Sequence, residues 1–416
     1  MDTLDLSYRL TVSLVGAIAR ACARGLPEGW RVRLGAEAPA FGEQGWIWLH
    51  AVSVGELLLA DGLIGRLRAA GRRVHVTTGT PAGLDLLRRR LSAWDAGTEQ
   101  ISGGAFPLDD PAGLESFFHR LPGVFIALET ELWPGLIEAL QARGIPRLVV
   151  NGRLTDKSLQ RGGPWLRRAA GRLTLVAARD SDSAEAFRRL GAPRVELGGN
   201  LKADLPPPRP LPEHWAPLRA AWAGDPVLVA GNTLEGEENL ILGAWFAARA
   251  EATNLRLILA PRQPRRFDAV AAELSARGLP FRRASGAWPD EGSWRETGIL
   301  LLDTLGDLAA AYGEGTLALV AGGWRHAGGH NPLEPIQAGV PTLIGPGFAN
   351  FADLVPPLRA AGRLQVVEAE DLERAVMVGL AGSPLRPVPA GPLPESLTGA
   401  LARTWDLITP HLPPIG

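Results

Sequence analysis

Short, almost uninterrupted apolar runs alternate along this chain with longer stretches of helical spacing. Trp46–Ala51, Arg73–Thr77, Val124–Leu128, Arg147–Val150 and Leu173–Ala177 are each too short for a core helix and read as buried strands. Segments such as Glu56–Ala70 and Pro134–Arg143 lie between them, with apolar residues at helical spacing and a glycine near the end. Strand and helix in strict alternation predict a parallel sheet covered on both faces.

The pattern breaks at Asp204–Pro217, which reads DLPPPRPLPEHWAP. Proline at this density suits neither a helix interior nor a central strand, so the stretch reads as a semi-rigid linker and a domain boundary. The alternation then restarts. Val227–Ala230, Leu255–Ala260, Gly298–Leu302, Leu317–Val320 and Thr342–Ile344 form the second set of strand candidates. Two αβ domains joined by one hinge suggest a cleft, and ligands of open α/β sheets sit beyond the carboxyl ends of the strands.

At the start of the chain, Leu10–Ala19 is an apolar run between Arg9 and Arg20. A spanning helix needs about 20 apolar residues, so this one is too short. Asp2 and Asp5 stand where a secretory signal would be basic. Leu6, Leu10, Leu14, Ile18 and Cys22 recur every fourth residue, with Arg9, Arg20 and Arg24 around them. Such a stripe suits a membrane interface, or equally a helix packed on the first domain.

Composition adds mainly exclusions. The 416 residues are 46% hydrophobic and 21% charged, as in ordinary globular chains. A net charge of −1 gives no support for nucleic-acid binding. One cysteine, Cys22, excludes an intramolecular disulfide and any multi-cysteine metal site. The seven histidines are scattered, and Asp109-Asp110 before Pro111 is the nearest approach to a metal-binding carboxylate pair.

The chemistry-bearing residues gather just after the strands. His50-Ala-Val-Ser-Val-Gly-Glu56 leads from the first strand into a helix, where Ser53 and Gly55 suit a tight turn with free N–H groups. Glu56 falls in the first helical turn, a place for a catalytic carboxylate or for a glutamate that merely favours the helix dipole. In Leu128-Glu-Thr-Glu-Leu-Trp-Pro134, Glu129 and Glu131 leave a buried strand two residues apart, and Pro134 starts a helix. Asn151-Gly-Arg153 ends the next strand, and Gly198-Gly-Asn-Leu-Lys202 places a lysine beside the linker. In the second half, Ala230–Glu238 is a donor-rich glycine turn opening a helix, without the Gly-Lys-Ser/Thr of a Walker loop. Arg262 in Pro261-Arg-Gln-Pro264 is a candidate phosphate ligand through its planar fork. Asp303–Leu308 follows another strand. Gly328-Gly-His-Asn-Pro-Leu-Glu-Pro335 lets backbone approach a ligand closely, with Glu334 suited to ribose hydroxyls.

Taken in order, HAVSVGE, LETELWP, NGRL, GNLK, GEE, PRQP and GGHNPLEP resemble the 3-deoxy-D-manno-octulosonic acid (Kdo) transferases of lipid A assembly. The resemblance runs from about Trp46 to about Asp353, and the ending PHLPP is also similar. It implies an α/β GT-B fold of two Rossmann-like domains facing each other across a cleft. The layout would be an amphipathic, membrane-associated helix over 1–30, an acceptor-binding domain over 31–204 and a linker over 205–217. A CMP-sugar-binding domain over 218–395 and a C-terminal helix and tail over 396–416 would complete it. The implied activity is inverting, metal-independent transfer of Kdo from CMP-Kdo to a lipid A precursor, with no cofactor, at the cytoplasmic face of the inner membrane. Carried over, Glu56 becomes the base, and Glu129 and Lys202 steady the transition state. Arg262, Gln263, Gly306, Asp307, Leu308, Asn331, Pro332, Leu333 and Glu334 hold the CMP-sugar, while Ser53, Gly55 and Arg153 stand on the acceptor side.

The chain reads as a divergent member. Asn232-Thr-Leu234 stands where the family has Ser-Thr-His, and Pro261-Arg-Gln-Pro-Arg-Arg266 where it has Pro-Arg-His-Pro-Glu-Arg. Asp307 replaces a glutamate and Gly152 an alanine. Gln263 keeps one donor of the lost imidazole, and Arg265 adds charge. Two other readings stay open on sequence: a GT-B transferase or epimerase using another nucleotide sugar such as a UDP-sugar, and a non-catalytic binding homologue.

Overall fold

The computed structural model describes residues 3–34, 45–95, 100–118, 120–154, 156–205, 211–288, 290–381, 393–394 and 397–414. The chain divides into two compact units, Met1–Leu205 with Thr398–Gly416, and Pro206–Leu397.

In the first unit the described strands are β1 Trp46–His50, β2 Arg73–Thr78, β3 Ile101–Ala105, β4 Val124–Leu128, β5 Arg147–Gly152, β6 Leu175–Ala178 and β7 Val195–Leu197. They form one seven-stranded sheet in the order β3-β2-β1-β4-β5-β6-β7. Every described pairing in it is parallel. β1, β2 and β4 to β6 are nearly all buried, as their continuous apolar runs require of a sheet covered on both faces. Side chains alternate between two cores: Trp46 and Trp48 enter one with Phe106, Phe117 and Phe125, while Ile47 and Leu49 enter the other with Leu57, Leu63 and Val76. Ala400 and Ile408 join that second core. The C-terminal helix Ala400–Ile408 thus completes the first unit, tied down where Asp204 accepts the N–H groups of Gly399 at 2.9 Å and Leu401 at 2.6 Å.

The second unit repeats the plan with β8 Val227–Thr233, β9 Arg256–Pro261, β10 Phe281–Arg283, β11 Ile299–Leu301, β12 Leu317–Val320, β13 Thr342–Ile344 and β14 Gln365–Val366. Their order is β10-β11-β9-β8-β12-β13-β14, again parallel. Of the proline-dense stretch expected over 205–217, residues 206–210 lie outside the described residues. Its end is already folded: Glu213–Trp215 forms a 3-10 turn and Trp215 is fully buried against Trp288, ring centroids 5.0 Å apart.

Both sheets reverse their order beside the first strand, between β1 and β4 and between β8 and β12. Crevices at such reversals are where open α/β sheets bind ligands.

The first helix, Thr3–Ala21, presents Leu10, Leu14 and Ile18 outward at 62%, 63% and 54% exposure, and Cys22 is exposed beyond its end. The side chain of Leu6 lies outside the described residues. The opposite face docks on the unit. Tyr8 donates to Asp109 Oδ2 at 2.5 Å, Arg9 pairs with Glu138 at 2.9 Å, and Arg20 pairs with Asp110. No helix among the described residues is long and apolar enough to cross a membrane.

Candidate active site

At the first reversal, β1 and β4 run side by side with His50 opposite Ala127. Their continuations bring the HAVSVGE and LETELWP segments together. Ser53 caps the Val54–Ala69 helix, its Oγ accepting the Glu56 N–H at 3.4 Å. Glu56 reaches back and accepts the Val52 N–H at 2.6 Å. Together these bonds resemble a capping box shifted by one residue, which fixes the Glu56 carboxylate without a long tether.

The electrostatics separate this glutamate from an ordinary helix-capping one. Burial raises the Glu56 pKa from 4.5 to about 8. The Val52 N–H opposes that rise, the nearby Glu129 and Glu131 add to it, and Lys202 pulls it back. Glu129 sits just past β4 with φ at 56°, a conformation side chains rarely adopt. Asn151, the last residue but one of β5, has φ at 51°. Such backbone persists where the surroundings over-determine it, and it clusters at functional sites.

Asn151 also positions the lysine. Its Oδ1 accepts the Leu201 N–H at 2.9 Å, and Asn200 Oδ1 accepts the Lys202 N–H at 3.1 Å. Lys202 Nζ then lies 3.9 Å from Glu129 Oε1. The Arg153 N–H donates to the Glu129 carbonyl at 3.4 Å and its own carbonyl accepts from the Thr130 hydroxyl, so its backbone holds the carboxylate loop. Gly55 is exposed in the first helical turn, with only Ser53 Oγ near the point a Cβ would occupy. Glu56, Glu129 and Lys202 thus belong to one cluster, which Glu131 joins.

At the second reversal, Glu237 is fully buried and accepts N–H groups from Leu234 at 3.0 Å, Gly322 at 2.7 Å and Trp324 at 3.0 Å. It ties the turn after β8 to the glycine loop after β12. Glu238, also buried, accepts from the Thr233 hydroxyl at 2.8 Å and pairs with Arg266 at 3.1 Å. The Gly-Glu-Glu segment, in sequence a donor-rich glycine turn, therefore gives its carboxylates to the frame. Gly322 has φ of 87°, and a Cβ there would meet His330 Nδ1 at 2.2 Å, so glycine alone admits the histidine.

Around that frame stand the expected donor residues. The Arg262 N–H donates to the Thr233 carbonyl at 3.0 Å while its side chain is exposed. Its charge lowers the pKa of His330 and opposes the burial-driven rise of Glu334, which places the three in one neighbourhood. Gln263 Oε1 accepts from Arg265 Nε at 2.8 Å. Gly306 takes φ of 100°, Asp307 accepts from the Thr304 hydroxyl at 2.5 Å, and the Leu308–Ala311 helix follows. Asn331 accepts the Leu333 N–H at 3.2 Å and donates to Glu334 Oε1 at 3.4 Å. Pro332 and Leu333 are buried. Among the described residues no His, Cys, Asp or Glu side chains group as three or more in a metal-binding arrangement.

A family model described as 3-deoxy-D-manno-octulosonic-acid transferase (kdotransferase) matches residues 28–205. A 3-deoxy-D-manno-octulosonic acid transferase from Haemophilus influenzae is 34% identical over 381 residues, 88% of this chain and 87% of that protein. The chain belongs to the Kdo transferase family. Another relative of that name, from Bordetella pertussis, is 35% identical over 342 residues, 79% of this chain and 78% of its own. Kdo transferases are glycosyltransferases, and the fold agrees. The UDP-GlcNAc 2-epimerase from Neisseria meningitidis, solved with UDP-GlcNAc, superposes with a TM-score of 0.57 over 88% of this chain and 99% of that one, at 13% identity. At that identity the likeness concerns the fold alone, which is of GT-B type.

Three groups in this Kdo transferase went unassigned on sequence. His50 was read only as part of a motif, yet it is fully buried beside Glu131. Glu237 was read as part of a turn. Tyr312, buried below Gly231, has a hydroxyl without a hydrogen-bond partner among the described residues. A polar residue closing an apolar strand was the available signal for His50. Nothing in the local pattern marked the other two.

Proposed function

We propose that this Kdo transferase moves Kdo from CMP-Kdo to a hydroxyl of a lipid A precursor with inversion at the anomeric carbon. The observation that carries the residue assignment is Glu56, fixed by the Val52 N–H and lifted to about 8 beside Glu129 and Lys202. A carboxylate raised that far is a competent base near neutral pH. The acceptor oxygen attacks the anomeric carbon as its proton passes to Glu56. The bond from that carbon to the phosphate oxygen breaks, and CMP leaves with the electron pair.

Positive charge gathering on the sugar is steadied by Glu129, held by Lys202, and negative charge on the departing phosphate by Arg262. Gln263, the Gly306–Leu308 turn and Asn331 with Glu334 hold the nucleotide, and Ser53, Gly55 and Arg153 line the acceptor side. No metal or cofactor has a step in this scheme.

A lipid acceptor requires a membrane surface. The outward stripe of Leu10, Leu14 and Ile18, on a helix docked by its other face, suits interfacial attachment at the cytoplasmic side of the inner membrane. The deciding assay incubates purified protein with CMP-Kdo and a lipid A precursor and reads the product by mass spectrometry. Transfer is expected, with Glu56→Ala lowering it by about a hundredfold or more. Undiminished transfer by Glu56→Ala would remove the base from the scheme.

A further inference from the structure

The Asp109-Asp110 pair has no step in the transfer scheme, yet it joins the first helix to the loop that carries Glu129 and Glu131. Asp109 is buried, and its carboxylate takes three donors from two elements. Oδ2 accepts the Tyr8 hydroxyl at 2.5 Å and the Gly135 N–H at 3.0 Å, while Oδ1 accepts the Leu136 N–H at 2.6 Å. Those N–H groups open the Pro134–Ala142 helix, and Trp133, which precedes it, offers no side-chain cap. Asp109 is therefore the cap of that helix, supplied from the segment after β3. Glycine makes the approach possible, since a Cβ on Gly135 would meet Asp109 Oδ1 at 2.9 Å.

The same segment is fastened on both sides. Asp110 pairs with Arg20 of the first helix and accepts the Gly113 N–H at 3.0 Å. Arg33, from the Glu28–Leu34 helix, donates to the carbonyls of Phe106 at 3.3 Å and Pro107 at 3.1 Å. Its guanidinium lies 5.6 Å from the Phe106 ring centroid and 5.1 Å from that of Trp133.

From the cap to the carboxylates the path is short. Trp133 directly precedes Pro134, whose ring restricts the backbone of both residues. Its Nε1–H donates to Glu131 Oε2 at 2.8 Å. Glu131 and Glu129 in turn raise the pKa of Glu56, against the pull of Lys202. Displacing the start of the helix therefore displaces Trp133, and Glu131 with it.

Burial lifts the pKa of Asp109 to about 6, and Tyr8, the two N–H groups and Arg33 keep it from rising further. Arg9, Glu115 and Arg143 stand around the small cavity that Asp109 lines. Near neutrality Asp109 is thus an anion, the stronger kind of acceptor.

We propose that Asp109 is a positioning residue, through which Tyr8 of the first helix fixes the start of the Pro134–Ala142 helix and so the place of Glu131 beside Glu56. The first helix then serves the transfer chemistry as well as presenting its apolar stripe. The proposal rests on the reading of Glu56 as the base.

The test is the pH profile of kcat/KM for transfer from CMP-Kdo in the full-length protein. In Asp109→Asn, whichever way the carboxamide turns, its nitrogen meets a backbone N–H, so one cap bond is lost. With Glu131 drawn away, the limb belonging to Glu56 should fall by about one pH unit and kcat by about tenfold. Asp109 itself titrates near 6, below that limb. Tyr8→Phe should give a smaller fall in the same direction and add nothing in the Asp109→Asn background. An Asp109 that only stabilises the fold would lower activity in step with the folded fraction at every pH. A limb left in place, or a Tyr8→Phe effect undiminished in Asp109→Asn, overturns the proposal.

Amide hydrogen exchange decides independently of turnover. Exchange across residues 129–137 should quicken by about fivefold in both variants while β4 and β5 stay protected. Unchanged exchange there refutes the link between helix and loop. If the wild-type protein transfers nothing from CMP-Kdo, the proposed function fails, and the exchange comparison still shows whether the first helix holds the loop.

Discussion

Glu56 binds its proton up to about 8 in the folded chain against an ordinary 4.5, because burial and two neighbouring carboxylates disfavour its charge. Across that window the folded state holds more protons than the unfolded one, so this residue makes stability fall as pH rises. Glu56→Gln removes the penalty. Its Tm should exceed that of the wild type by on the order of 5 °C at about pH 9 and by almost nothing at about pH 5, read by scanning fluorimetry. A difference independent of pH would show that the carboxylate is already ionised at neutrality. Glu56, Glu129 and Lys202 stood out as candidates because each lies in a motif just beyond a strand. The pairing of His50 with Glu131 was not legible, since it depends on the register of β1 against β4, nor was the role of Glu237 in the frame, because Gly322 and Trp324, whose N–H groups it accepts, lie 85 and 87 residues away.

Among the elements, the strands read from apolar runs are the inner ones: β1, β2, β4 to β6, β8, β9 and β11 to β13. The four missed strands, β3, β7, β10 and β14, are the outer strands of the two sheets. The physical reason is exposure. Outer strands lack a neighbour on one side and can carry glycine and polar residues, as in Ile-Ser-Gly-Gly-Ala, Val-Glu-Leu, Phe-Arg-Arg and Gln-Val. The return of the C-terminal helix to the first unit was equally invisible, because its apolar face names no partner. That return predicts that Ile408→Ala, opening a cavity in the core with Leu57 and Leu63, destabilises the first unit by about 2–5 kcal/mol in urea unfolding. The docking of the first helix is lighter. Tyr8→Phe loses one hydrogen bond to Asp109, the residue that also accepts the Gly135 and Leu136 N–H groups at the start of the Pro134–Ala142 helix. Faster amide exchange in the Thr3–Ala21 helix, by about fivefold, is expected from a loss near 1 kcal/mol, with the β-sheet core unchanged.

At the scale of the molecule, the same sheet reversal occurs twice, and each unit gathers its own candidate site residues there. The carboxylates and the lysine belong to the first unit; Arg262, the glycine loop and Glu334 belong to the second. Nucleotide binding and proton transfer should therefore separate under mutation. CMP at about a hundred times its Kd stabilises whatever binds it by about 2.7 kcal/mol, enough to raise Tm visibly. The wild type and Glu56→Gln should show equal CMP-induced shifts, while Arg262→Ala loses most of its shift because the leaving phosphate loses its cation. UDP should shift the wild type less than CMP does. The substitution of Gln263 for a histidine makes this comparison informative, since a carboxamide already bonded to Arg265 offers the phosphate no titratable proton. The CMP-induced shift should then stay constant between about pH 6 and 8, a range in which a family member with histidine there would lose affinity as the imidazolium deprotonates. A shift that falls across that range would mean that another group supplies a titrating cation. His330, whose pKa is already lowered by burial, is the residue to substitute in that event.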